Sequence, residues 1–109
     1  MSARIVIALG IAALFAAPLA RADANAGKEK AKQVCAACHG EAGDKPLQPD
    51  YPILAGQHRD YLQKSLRDYK SGLRKNPVMG PMAQPLTRDE IRDLADWFSS
   101  QSSPLFVKR

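Results

Sequence analysis

Both cysteines of this 109-residue chain fall in Cys35-Ala36-Ala37-Cys38-His39, beside one of its two histidines. Two thiols about one helical turn apart can reach the two vinyl groups on one porphyrin edge, and the adjacent imidazole can swing beneath the ring onto iron. Other chemistries ask for more than the sequence offers. A lone disulfide here would close a tiny loop and stabilise little. A thioredoxin-type redox pair needs a βαβ surrounding, which the chain lacks, and a zinc site would miss its fourth ligand, because His58 is the only further histidine. The motif points to one covalently attached haem c, with Cys35 and Cys38 as attachment points, His39 as the proximal ligand and iron as the metal.

An iron held by one histidine has a sixth position, and its occupant separates electron carriers from ligand binders. A thioether there raises the reduction potential and keeps the iron six-coordinate in both oxidation states. Met79 and Met82 are the candidates, 40 and 43 residues after His39 in a segment braced by Pro77 and Pro81. His58 competes, although its place at the start of a helix suits a solvated polar residue better.

Three stretches of helical spacing must position these groups, and no stretch alternates as a strand would, so the chain is expected to be all-α. A first helix, capped by Asp23 or Asn25, should run to about Cys38, with Ala31, Val34, Cys35 and Cys38 along one side and Lys28, Lys30 and Lys32 outward. Gly40 to Gly56 contains three prolines and should be an irregular loop. A second helix is expected from about His58 to Ser71, burying Leu62, Leu66, Tyr69 and Leu73, with Gly72 as its stop. Three prolines and Gly80 predict a second irregular loop from Arg74 to Pro85. Thr87-Arg88-Asp89-Glu90 has the form of a capping box and opens a third helix, facing Ile91, Leu94, Ala95 and Phe98 inward. It should end at Ser99, and residues 102–109 should form a loose tail.

The first 22 residues read as a separate segment. Arg4 precedes thirteen apolar or small residues, Ile5 to Ala17, and Pro18 breaks the run before Ala20-Arg21-Ala22. This has the form of a secretory signal peptide cut after Ala22; a membrane span would need about 20 apolar residues. Cleavage would leave 87 residues and lower the net charge from +5 to +3, since Arg4 and Arg21 go and no acid does. The basic excess carries no Arg-rich run, so nucleic acid is not an expected partner. A chain this short builds a thin core that often needs a staple, and covalent haem would supply it.

The remaining chain resembles class I c-type cytochromes, and most closely a single-haem version of the repeat in bacterial di-haem cytochromes of the c-four type. The matching stretches begin with Val34-Cys-Ala-Ala-Cys-His-Gly40, Tyr51-Pro-Ile-Leu-Ala-Gly-Gln57 and Tyr61-Leu-Gln-Lys-Ser-Leu-Arg-Asp-Tyr-Lys-Ser-Gly72. They continue with Met79-Gly-Pro-Met-Ala-Gln-Pro-Leu86 and Glu90-Ile-Arg-Asp-Leu-Ala-Asp-Trp-Phe-Ser-Ser-Gln101. The resemblance implies a small helical fold of three to four helices around one haem, with the terminal helices crossing and one haem edge near solvent. It also implies His/Met ligation with Met79, not Met82, as the distal ligand, and a carbonyl from Pro52 on the proximal imidazole. The segment between the second helix and Met79 is shorter here than in the di-haem repeat.

The function expected is one-electron transfer in the periplasm, in a respiratory or dehydrogenase chain, with no catalytic residues. Redox proteins, either membrane oxidoreductases or periplasmic dehydrogenases, would dock at the haem edge. Leu54, Leu66, Tyr69 and Phe98 would pack the haem or core, and Lys28, Lys32 and Lys45 could steer acidic partners. The alternatives are a haem subunit of a permanent dehydrogenase or oxidase complex, or a ligand-binding or peroxidase-type haem protein. No stable membrane insertion is expected once residues 1–22 are removed.

Overall fold

The computed structural model describes residues 1–16 and 22–105. Pro18, Ala20 and Arg21 of the expected processing site, and the last four residues of the tail, lie outside the described residues. Residues 1–16 have no regular secondary structure and are exposed. Among the described residues there is no strand, and no helix is long and apolar enough to cross a membrane.

Among the described residues five helices make the fold: α1 (Ala24–Val34), α2 (Ala36–His39), α3 (Arg59–Ser71), α4 (Met79–Ala83) and α5 (Arg88–Ser99). Asp23 caps α1, its carboxylate accepting from the N–H groups of Asn25 and Ala26, while its own N–H donates to Asp93 Oδ1 on α5 at 2.7 Å. The expected single helix through Cys38 is two. At Cys35 φ stretches to −113° while ψ stays helical at −37°, and its carbonyl accepts from both Cys38 and His39, so the helix is interrupted at the motif and resumes as a short one.

The crossing of α1 on α5 rests on Gly27, which is buried where the two backbones meet. A methyl group there would lie 2.0 Å from the Asp93 carbonyl oxygen and 2.9 Å from Trp97 Cβ, so only glycine permits this approach. Lys30, expected outward, turns instead to Glu90 on α5 at 2.9 Å. Lys28 is exposed, with its ammonium 5.6 Å from the Trp97 ring.

Helix α3 contributes Leu62 to the core, with Leu66 and Tyr69 half-buried against it. Leu73, expected on the same face, is 83% exposed, because the chain leaves the helix at Gly72 and the side chain no longer shares its register. The second loop is also not irregular throughout, since it contains α4. Asn76 Oδ1 accepts from Val78 and Met79 N–H, both at 2.9 Å, and so starts the turn, while Pro81 sits early enough to cost little. In α5 both halves of the Thr87/Glu90 capping box form, and Ile91, Leu94, Ala95 and Phe98 are buried as their spacing predicts.

The core is small: Ala31, Leu62, Ala83, Leu86, Ile91, Leu94, Ala95 and Phe98 are its buried members. Among the described residues Leu94 is the largest side chain fully removed from water. At the start of the tail, Ser103 lies against Gly56.

Candidate haem site

Cys35, Cys38 and His39 lie at the turn that ends α1 and on α2, and both cysteines are free thiols. Cys35 packs against the core cluster, and burial pushes its thiol up to about 11, partly offset by the nearby Lys30 cation. His39 is buried, 7% exposed, and it is the one polar side chain among the buried described residues. A buried imidazole needs partners for its nitrogens. Nδ1 has one, the carbonyl oxygen of Pro52 at 3.0 Å. Pro52 has no N–H of its own and its ring fixes φ, so the acceptor is presented on a stiff segment. The bond makes Nδ1 the protonated nitrogen and leaves Nε2 with its lone pair free for a metal.

The loop that carries Pro52 is held in place by Gly43. Its carbonyl accepts from Leu54 N–H at 2.8 Å and Ala55 N–H at 3.1 Å. Gly43 adopts φ +71°, and a Cβ there would meet Phe98 Cδ1 at 2.7 Å and Leu54 Cβ at 2.9 Å. Leu54, half-buried against the core, is thereby fixed two residues from the Pro52 carbonyl. Further ties run from Leu47 N–H to the Cys38 carbonyl at 2.9 Å and from Trp97 Nε1–H to the Glu41 carbonyl at 3.3 Å. Sequence reasoning missed Gly43 and Tyr51, whose ring centroid is 6.3 Å from that of His39. A glycine three residues past Gly40 in a proline-rich loop was the only signal for the first.

Met79 opens α4 and is half-buried; Met82, one turn on, is 40% exposed. Ala83 anchors this helix in the core. His58 is exposed at the start of α3 and makes no capping bond through its side chain. The donor set is then two free thiols, an imidazole with one nitrogen already occupied, and a half-buried thioether, which suits a haem c.

The sequence pattern of cytochrome c matches residues 24–102, the stretch that contains every one of these groups. The chain belongs to the cytochrome c family. Its cofactor is accordingly haem c, covalently bound, with iron. This cytochrome is 49% identical over 79 residues to cytochrome c4 of Thiocapsa roseopersicina, an overlap of 72% of the chain but 40% of that protein. It is 45% identical over 82 residues to cytochrome c-554(548) of Halomonas halodenitrificans, covering 72% of this chain and 96% of that one. The fold superposes on reduced cytochrome c4 from Pseudomonas stutzeri with a TM-score of 0.71 at 39% identity, over 78% of this chain and 48% of that chain. The chain thus spans less than half the length of the cytochromes c4 it matches, and nearly the whole length of c-554(548).

Proposed function

We propose that this cytochrome is a periplasmic one-electron carrier whose haem is held through Cys35 and Cys38 and ligated by His39 and Met79. The observation that carries the reading is the buried His39 ring with Nδ1 on the Pro52 carbonyl, directly after two free cysteines. Bound haem c supplies an iron that cycles between ferric and ferrous states, accepting and returning one electron. The residues of the chain do the rest. Cys35 and Cys38 would hold the haem as thioethers, each S–H being of the kind that can add to a vinyl group with no leaving group. Pro52 holds the imidazole in one tautomer and one orientation, and raises its basicity as a ligand. Met79 is supported as the distal ligand over Met82 by its burial and by the family resemblance, and a thioether favours the reduced state. A protein-derived imidazole and thioether together would leave little to rearrange on electron transfer, so no catalytic residue is required.

Residues 1–22 serve as the export signal in this reading, and the mature domain begins at Asp23. Partners are redox proteins that dock briefly at the haem edge, with exposed Lys32 and Lys45 available for steering. A potentiometric titration of the purified holoprotein tests the carrier role. A single reversible one-electron wave, with a ferrous form that does not take up carbon monoxide, is expected. Rapid carbon monoxide binding by the ferrous form would mean an open iron and a ligand-binding protein instead.

A further inference from the structure

The helix that carries Met79 is five residues long, far too short to persist by itself. The chain that leads into it, Ser71 to Val78, is exposed at every position. Its place therefore depends on a few named ties: Asn76 at the start, Ala83 in the core, and one reciprocal pair at the end. Lys70 Nζ donates to the Gln84 carbonyl at 2.6 Å, and Gln84 Nε2 donates to the Lys70 carbonyl at 2.8 Å. Lys70 lies in the last turn of α3, and Gln84 is the C-terminal cap of α4. Carbonyls at those positions have no acceptor role left within their own helices. Each residue thus satisfies the other's terminal carbonyl, and the exposed segment between the helices is closed into a loop fastened at its base.

Resting on the assignment of Met79 as the distal ligand, we infer that Lys70 and Gln84 form a clasp that positions this methionine by holding α4 against α3. They are positioning residues, since neither is placed on the iron. The clasp sets how often α4 lifts and takes the thioether away. In that opened state the sixth position is accessible to an added base, so the apparent affinity for such a base reports the population of the opened state.

Imidazole titration of the oxidised holoprotein reads this out, followed through the weak far-red iron–sulfur band. Gln84→Ala removes one bond of the pair and Lys70→Met the other. Each is expected to tighten imidazole binding about threefold, and the double variant roughly tenfold, for hydrogen bonds of ordinary net strength. Lys70→Arg keeps a donor and should stay close to wild type. Lys64→Ala is the comparison variant: it breaks the Lys64–Asp68 pair on the exposed side of α3 without touching α4. It should leave imidazole affinity unchanged. Equal affinities in wild type and the double variant would overturn the clasp, and so would an equal tightening by Lys64→Ala. A wild type that lacks the far-red band overturns the Met79 assignment together with the clasp, whereas a band present with unaltered affinities overturns the clasp alone.

Discussion

The Nδ1 atom of His39 lies 3.0 Å from the carbonyl oxygen of Pro52, thirteen residues along the chain. That single bond fixes the orientation of a buried histidine, the one proposed as the proximal iron ligand, and its geometry depends on a loop whose shape is set elsewhere.

Gly43 is where the shape is set. Gly43→Ala would force a Cβ to 2.7 Å from Phe98 at a backbone angle that side chains rarely adopt, and would disturb the carbonyl that holds Leu54 and Ala55. A loss of about 2–3 kcal/mol is expected from overpacking and backbone strain together. In a domain of this size that lowers Tm by roughly 10 °C or more, which far-UV circular dichroism would show.

Gly27→Ala tests the helix crossing independently of the haem loop. Here the added methyl meets backbone, the Asp93 carbonyl at 2.0 Å, so α1 and α5 must move apart. About 3 kcal/mol of stability should be lost, read as a lower urea midpoint with little change in slope. A variant as stable as wild type would mean that the two helices do not pack this closely.

Glu90 couples stability to acid. The Thr87 backbone N–H, and then the Lys30 ammonium, hold its carboxyl below the usual carboxylate value of 4.5. A lowered folded value means that the contribution is complete above about pH 4.5 and fades as pH falls through the folded value. Glu90→Gln should therefore be less stable than wild type at pH 7, by about 0.5–1 kcal/mol for a partly exposed cap and ion pair. The two proteins should converge once pH falls below the lowered folded value. Thermal melts across that range check the sign.

Cleavage after Ala22 would give one existing contact a new charge. The Asp23 N–H that donates to Asp93 Oδ1 at 2.7 Å would become part of a terminal ammonium, strengthening the bond to the carboxylate. Asp93→Asn should then cost the processed protein about 1 kcal/mol more than the unprocessed one. Melts of both forms, with the N-terminus confirmed by mass spectrometry, would show the difference.

Much of this site was legible because its chemistry is local. Cys35, Cys38 and His39 are adjacent, their spacing alone implies a porphyrin, and the Thr87/Glu90 box and the inward face of α5 follow from helical periodicity. The Pro52 carbonyl was different, since thirteen residues of loop separate it from His39 and only the family resemblance joined them. Helix α4 escaped notice because prolines were read as breakers, when Asn76 followed by Pro77 is also a way to begin a helical turn. Leu73 kept the right spacing but lay past the stop at Gly72, where periodicity no longer predicts a face. Lys30 looked solvated because the pattern of one helix cannot reveal an acid on another.

The assignment of Met79 carries the electron-transfer reading, and one spectrum tests it most directly. Oxidised holoprotein should show the weak far-red iron–sulfur charge-transfer band, Met79→Ala should lose it, and Met82→Ala should keep it. A band that survives Met79→Ala and vanishes in Met82→Ala would transfer the ligand to Met82. Its absence from the wild type would contradict His/Met ligation altogether.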